Sequence, residues 1–229
     1  MKHALFGLLA AALTAWTTPA AAQLEQITPK EAVSALKAAL ENGSQAAVAE
    51  LGRSDGFFGN PQVKIELPES ATRAERAMRR LGMGKYADEL VLTMNRAAEA
   101  AAPEARALFV DSIRKMSVQD AKGILSGGDS AATEYFRRTT REPLRGRFLP
   151  IVKRATEKVN LAHKYNQFAD KGVAVGLVKK DDADLDEYVT RKTLDGLYLM
   201  VAEEEKKIRK NPVASGTAII RKVFGALQR

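Results

Sequence analysis

Apolar side chains recur every three or four residues through most of the chain, which is the spacing of one face of an α-helix. The longest continuous run covers residues 85–116 and begins with the stripe Tyr86, Leu90, Val91, Met94, Ala97, Ala98 and Ala101. Pro103 interrupts this run, because proline is best tolerated in the first turn of a helix. The pattern predicts two helices that meet at Pro103 in a tight hairpin at the centre of the fold.

Capping sequences predict further helices on both sides of this hairpin. Thr28 with Glu31, and Ser117 with Asp120, have the spacing at which the two side chains cap a helix N-terminus. A long helix is predicted from about residue 185 to 209, with a run of acidic residues at its positive end. We therefore expect an all-α fold, a single-domain multi-helix bundle built around the central hairpin.

Residues 55–68 break the helical pattern. Turn-forming residues are frequent at the start of this segment, and Val63, Ile65 and Leu67 then alternate with polar residues. This alternation predicts one short β-ribbon or extended flap. Phe57 and Phe58 would either anchor the flap in the core or form a lip over a cavity, and anchoring is the favoured interpretation.

Arginine is concentrated just after the middle of the chain. If one helix continues past Pro143, then Arg137, Arg141 and Arg145 lie on one face at four-residue steps. The sequence favours a different reading, in which Thr140 caps a new helix that has Pro143 in its first turn. In either case this is the strongest basic feature of the chain.

The N-terminus has the pattern of a secretory leader. An apolar stretch from Ala4 to Trp16 precedes three alanines that end at Ala22. We predict a signal peptide over residues 1–22, cleaved near Ala22, and a single helical domain over residues 23–229. The mature protein is expected to be periplasmic or secreted, with no transmembrane segment.

Composition narrows the chemistry that is available to the mature chain. It would contain no cysteine, no tryptophan and one histidine, His163. Disulfides, thiol catalysis and zinc sites with several His or Cys ligands are thereby excluded, and no metal site or cofactor is expected. The full sequence has a net charge of +8, and the middle of the chain is its basic part. A solvated surface is the favoured interpretation of this modest excess, and an anionic partner is the alternative. In an exported protein this means a lipid, an anionic envelope polymer or an envelope protein, and nucleic acid is not expected.

Asn95, Arg96 and Glu99 form a polar cluster along the edge of the first hairpin helix. They predict either a structural clamp or part of a ligand site. Asp55 and Glu99 are the candidate catalytic carboxylates, which would have to face one cleft about 5 to 10 Å apart. The candidate binding residues are Phe57, Phe58, Asn60, Asn95, Arg96, Glu99, Arg137, Arg141 and Arg145.

Several of these segments together resemble an exported bacterial family known as Domain of Unknown Function forty-one ninety-seven. The resemblance rests on these segments: Leu51-Gly52, Asp55-Gly56-Phe57 with Asn60, residues 64–69, Met94 to Glu99, Ala131 to Thr133 with Tyr135-Phe136, Phe148 to Pro150, residues 188–198 and residues 208–212. Glu66 stands where the resemblance leads us to expect proline, and Ser215 where it leads us to expect arginine. The resemblance implies a helical exported domain and carries no established activity.

Three functions are compatible with these observations. The favoured one is a non-enzymatic binding or interaction module of the cell envelope, with an apolar pocket or a groove bordered by Arg137, Arg141 and Arg145. The second is a carboxylate-dependent hydrolase or lyase that acts on an envelope glycan. The third is a structural or chaperone-like envelope protein in which the polar residues named above act only as clamps.

Overall fold

The computed structural model describes residues 28–157, 165–166 and 184–211, except for the side chains of residues 70, 73, 74, 77 and 78. Seven α-helices have both ends within these ranges: α1 Pro29–Gly52, α2 Thr72–Arg80, α3 Gly84–Ala101, α4 Ala105–Lys115, α5 Val118–Ser126, α6 Ala131–Thr156 and α7 Leu185–Lys210. Two short 3-10 turns, Glu69–Ala71 and Ala102–Glu104, precede α2 and α4. The described part of the chain contains no strand, so the all-α prediction is confirmed. The predicted leader and His163 lie outside the described residues.

Helix α6 lies at the centre of the bundle and packs against α3, α4, α5 and α7. Its fully buried face follows a four-residue step through Phe136, Leu144, Phe148 and Val152. The helix is continuous through Pro143 and Pro150. The predicted helix start at Thr140 is therefore wrong. The Thr140 hydroxyl lies 2.6 Å from the carbonyl oxygen of Phe136, one turn earlier in the same helix, and 2.9 Å from the Tyr198 hydroxyl of α7.

The predicted central hairpin has different partners in the structure. Helices α3 and α4 meet at the turn that contains Pro103 but do not pack along each other. Instead α3 packs against α6 and α2, whereas α4 packs against α1 and α6. The side chain of Tyr86, predicted to face inward, is 52% exposed. At its N-terminal end, α3 forms a hairpin with α2. Helix α6 occupies the centre of the bundle.

A residue of α7 caps the N-terminus of α6. Ser130, at the N-cap position of α6, makes no side-chain capping bond. The Glu205 carboxylate accepts hydrogen bonds from the backbone N–H groups of Ala132 at 3.0 Å and Thr133 at 2.9 Å. Arg209 donates to Glu205 and to the carbonyl of Ile124, each at 2.9 Å. This buried carboxylate therefore joins α5, α6 and α7 at one point.

The predicted acidic start of α7 is confirmed. The Asp184 carboxylate accepts hydrogen bonds from the backbone N–H groups of Asp186 and Glu187, at 2.9 and 3.1 Å. Asp186 lies partly buried beside α6 and accepts a 2.5 Å hydrogen bond from the Thr156 hydroxyl. Burial raises the pKa of the Asp186 carboxyl above its ordinary value, and the hydrogen bond from Thr156 opposes this effect. None of the described helices has the length and apolar character required to cross a bilayer.

Replacing Glu205 by glutamine is expected to destabilise the protein by about 3 kcal/mol, because an amide group would then face two backbone donors and leave Arg209 without its carboxylate. Chemical denaturation measures the loss. Glu203→Gln is the matched control, since Glu203 lies on the same helix and pairs with Lys206 at the surface. Equal unfolding midpoints for the two variants would contradict the assigned role of Glu205.

Asp186→Asn is expected to stabilise the protein at neutral pH. The raised pKa means that the folded state binds the Asp186 proton more tightly than the unfolded state, so the contribution of Asp186 to stability falls as pH rises through that interval. Asparagine can still accept the hydrogen bond from Thr156. The difference in unfolding free energy between the variant and the parent should therefore shrink toward about pH 3, where Asp186 is protonated in both states. A difference that does not vary with pH would show that burial of the charge is not its cause.

Candidate functional site

The loop of residues 53–68, between α1 and α2, contains four of the candidate residues. It begins with a tight turn in which Asp55 has a φ of 64°, in the left-handed region. At Gly56 an added Cβ atom would lie 2.3 Å from the carbonyl oxygen of Glu50, so only glycine fits there. The turn therefore places Asp55 and the two phenylalanines directly beside the end of α1.

Asn95 of α3 holds the second half of this loop. Its Oδ1 accepts a hydrogen bond from the backbone N–H of Ile65 at 2.9 Å, and its Nδ2 donates to the carbonyl of Ile65 at 2.8 Å. Nδ2 also donates to the carbonyl of Val91 at 2.8 Å. The buried side-chain amide thus makes the pair of hydrogen bonds that a neighbouring strand would make.

The predicted β-ribbon is wrong, because the Asn95 side chain takes the place of a second strand. Val63 and Ile65 are buried, as their alternation with polar residues indicates. The backbone of Ile65, however, is paired with the Asn95 side chain instead of a second strand, and the N–H of Val63 donates to the carbonyl of Asn60 within the loop. An alternating pattern indicates which side chains face inward. It does not indicate which groups form hydrogen bonds with the backbone.

Glu99 holds the first half of the loop. Its side chain is buried, and Oε1 accepts hydrogen bonds from the backbone N–H groups of Phe57 and Phe58, both at 3.1 Å. Oε2 accepts a 2.6 Å hydrogen bond from Arg96, whose other terminal nitrogen donates to Asp55 Oδ1 at 2.8 Å. The hydrogen bonds to Glu99 and then to Asp55 raise the pKa of the Arg96 guanidinium. We call Asp55, Asn95, Arg96 and Glu99 the loop clamp.

The structure brings Asp55 and Glu99 together, but through a shared guanidinium. A general acid or base needs an oxygen that can reach a substrate proton. Both oxygens of Glu99 accept hydrogen bonds from protein donors, and the Asp55 carboxylate is tied to Arg96. The geometry therefore fits the clamp interpretation of this cluster better than the catalytic one.

The remaining loop residues have separate roles. Phe57 is fully buried, and an added Cβ atom at Gly196 of α7 would lie 2.8 Å from its ring, so the helix and the ring are in close contact. Phe58 is half-buried, with Lys64 Nζ 4.9 Å from the centre of its ring. Asn60 Oδ1 accepts a hydrogen bond from the backbone N–H of Gln62 at 3.1 Å and thereby closes the turn. Phe57 is thus an anchor, whereas part of Phe58 faces solvent.

The three arginines of α6 lie on one side of a continuous helix, and each contacts α7. Arg137 lies 4.9 Å from the ring centre of Tyr198. Arg141 pairs with Asp195 at 3.3 Å, and Arg145 pairs with Glu187 at 2.6 Å. These contacts link the two longest described helices across their exposed edge. The i, i+4 spacing predicted the shared face of the arginines but gave no sign of their partners.

A surface groove of about 660 Å³ lies between α1 and the Ala102–Glu104 turn. It is lined by Asn42, Gln45, Ala46, Val48, Ala49, Gly52, Arg53, Pro103 and Arg106. At Gly52 the wall of the groove touches Pro103 and comes close to the backbone of Glu99, so the groove adjoins the loop clamp. Sequence reasoning missed these residues. The available signal was the pair of small residues, Ala46 and Ala49, on the exposed side of α1.

Among the described side chains, no group of three or more potential ligand residues converges closely enough to hold a metal ion.

Glu99→Gln is expected to lower the free energy of unfolding by about 2 kcal/mol, because the variant loses the charge that balances Arg96 and turns an amide group toward one of its donors. The backbone amides of Phe57 and Phe58 donate hydrogen bonds to Glu99 in the structure, so their hydrogens should exchange faster with solvent in the variant. Glu104→Gln is the control, since Glu104 is exposed and pairs with Arg147 at the surface. Unchanged exchange at both phenylalanine amides would contradict the clamp.

Comparison with known proteins gives one match. No curated protein and no solved structure matches the chain. The model of a family described as "Protein of unknown function (DUF4197)" matches residues 26–225, which includes the loop clamp, the groove and all seven helices. That match confirms the resemblance seen in the sequence, and the chain belongs to the DUF4197 family.

Proposed function

We propose that this protein is an exported, non-enzymatic interaction module of the cell envelope that binds an acidic, extended segment of a partner protein in the groove beside α1. The observation that carries the proposal is Arg106. Its side chain lines the groove, is exposed, and has no acidic partner among the described residues. The leader pattern of residues 1–22 supports export.

The other groove residues suit an extended peptide. Arg53 provides a second guanidinium, which is paired with Glu50. Asn42 and Gln45 place side-chain amides along α1, and the small side chains between them allow a backbone to approach closely. Within the protein itself, Asn95 shows that an amide on a helix can satisfy both backbone groups of an extended residue. A peptide that places a carboxylate at Arg106 would gain a charge-assisted hydrogen bond in addition.

The carboxylate-dependent hydrolase or lyase has weaker support. Such an enzyme needs two carboxyl groups that face the substrate, one of which must hold a proton. Its two candidates here, Asp55 and Glu99, share Arg96, and Glu99 also accepts two backbone hydrogen bonds. The structural or chaperone-like alternative accounts for the loop clamp but gives no role to Arg106, which has no acidic partner in the described part of the chain.

Arg106→Glu is expected to weaken binding of an acidic peptide about tenfold or more, because one charge-assisted hydrogen bond is replaced by repulsion. The probe is a fluorescently labelled peptide of alternating glutamate and valine, and the measurement is fluorescence anisotropy. Binding should weaken at high salt and should be lost when glutamine replaces glutamate in the peptide. Arg114→Glu is the matched control, since Arg114 is an exposed arginine of the same helix outside the groove.

Three results would overturn the proposal. The first is absence of peptide binding to the parent protein at low salt. The second is an equal loss of affinity in the two arginine variants, which would indicate a diffuse effect of net charge. The third is a parent protein that does not bind the peptide but binds an anionic polysaccharide, with an affinity that Arg106→Glu lowers.

A further inference from the structure

The turn that joins α2 to α3 exposes three large apolar side chains close together in sequence. Leu81 is 76% exposed, Met83 is 44% exposed and Tyr86 is 52% exposed. We call these three residues the tip patch. Isolated apolar residues on a surface need no explanation, but a cluster at the end of a helical hairpin indicates an interaction surface.

The turn that bears the tip patch is held in a defined shape. Gly82 has a φ of 76°, in the left-handed region, and thereby reverses the chain between the two helices. Arg79 of α2 pairs with Glu75 at 2.9 Å and with Asp88 of α3 at 2.6 Å. The hydrogen bond from Arg79 lowers the pKa of the Asp88 carboxyl below its ordinary value. The ion pair with Asp88 joins the two hairpin helices close to the turn.

Basic residues flank the tip patch in the sequence. Residues 76–86 contain four basic and no acidic residues: Arg76, Arg79, Arg80 and Lys85. Arg79 is engaged in the ion pairs described above. Arg80 and Lys85 are exposed and have no acidic partner among the described residues. The end of the hairpin therefore combines an apolar tip with exposed basic side chains.

We infer that the α2–α3 hairpin docks the protein onto an anionic lipid surface, with Leu81 and Met83 entering the acyl region. Arg80 and Lys85 would then lie at the level of the lipid phosphates, and the Tyr86 ring would lie at the boundary between headgroups and acyl chains. This inference goes beyond the proposed function, because none of the groove residues belongs to the hairpin.

The size and shape of the tip patch favour a lipid surface over a protein partner. A stable protein interface buries about 1,200 Å² or more in total, and three side chains on a turn provide only a small part of that. A protruding turn also needs a matching cavity in a protein partner. A bilayer needs no such complement, and binding to it depends on buried apolar area together with attraction of basic residues to anionic lipid.

Vesicle flotation tests the inference with the complete chain. We expect the parent protein to float with vesicles that contain phosphatidylglycerol, and more weakly with vesicles of phosphatidylcholine alone. The double variant Leu81→Ser with Met83→Ser should lower the partition coefficient at least tenfold. Val118→Ser is the matched control, because Val118 is 59% exposed but lies on α5, and it should leave partitioning unchanged. All variants share one N-terminus, so a contribution from the leader is the same in each.

A second double variant tests the electrostatic contribution to lipid binding. Arg80→Ser with Lys85→Ser should reduce flotation with phosphatidylglycerol vesicles and leave the weak flotation with phosphatidylcholine unchanged. Since all four substituted side chains are exposed, the circular dichroism spectra and unfolding midpoints should match those of the parent. Peptide binding in the groove should persist in both double variants, which separates failure of this inference from failure of the proposed function.

Two results would overturn the inference. One is flotation of the Leu81→Ser, Met83→Ser variant that equals flotation of the parent. The other is a parent protein that does not float with phosphatidylglycerol vesicles, whether it stays monomeric or forms a dimer that this variant abolishes, measured by analytical ultracentrifugation. Such a dimer would identify the tip patch as a contact between copies of the chain.

Discussion

A buried carboxylate that accepts two consecutive backbone N–H groups holds this structure together at two separate points. Glu99 accepts those of Phe57 and Phe58, and Glu205 accepts those of Ala132 and Thr133. Removing a carboxylate from water carries a large free-energy cost, which must be offset by hydrogen bonds to every exposed lone pair and by a nearby cation. In both cases an arginine about one turn away on the same helix provides that cation, Arg96 for Glu99 and Arg209 for Glu205.

These two contacts each fix one segment of the backbone onto a helix. The first fixes a loop without regular secondary structure onto α3, and the second fixes the N-terminus of α6 onto α7. A loop whose backbone groups are hydrogen-bonded by side chains depends on the exact placement of those side chains. A β-ribbon would instead form hydrogen bonds between its own two strands. The 53–68 loop therefore depends on Asn95 and Glu99 for its position.

Ion pairs within the fold determine which of the basic residues remain available to a partner. The arginine-rich part of α6 attracts attention in the sequence, yet Arg141 and Arg145 are paired with acidic residues of α7. The cations that have no acidic partner among the described residues are less conspicuous, and they include Arg80, Lys85 and Arg106. A count of charges along the chain gives the total. Only the fold shows which of the charges remain available to a partner.

The parts of the fold that depend on neighbours in sequence could be predicted, and the parts that depend on distant residues could not. Both capping boxes, at Thr28 and Ser117, form as their spacing indicates. Glu205 and Arg209 have the spacing of an ordinary surface pair, and nothing local reveals that the carboxylate caps a helix more than seventy residues earlier. Likewise, the apolar run of residues 85–116 shows two helices, but periodicity alone does not choose their partners, and α3 packs against α6 and α2 instead of α4.

Three of the segments that carry the family resemblance lie at these two buried carboxylate contacts. Asp55 to Phe57 and Met94 to Glu99 build the loop clamp, and Ala131 to Thr133 form the helix N-terminus that Glu205 caps. Arg106 and the tip patch lie outside those segments. The resemblance residues in these three segments therefore belong to the scaffold of this protein and leave its partners open. It follows that substitutions in the clamps should report on stability, and that information about partners must come from the exposed cations and apolar side chains that the scaffold presents.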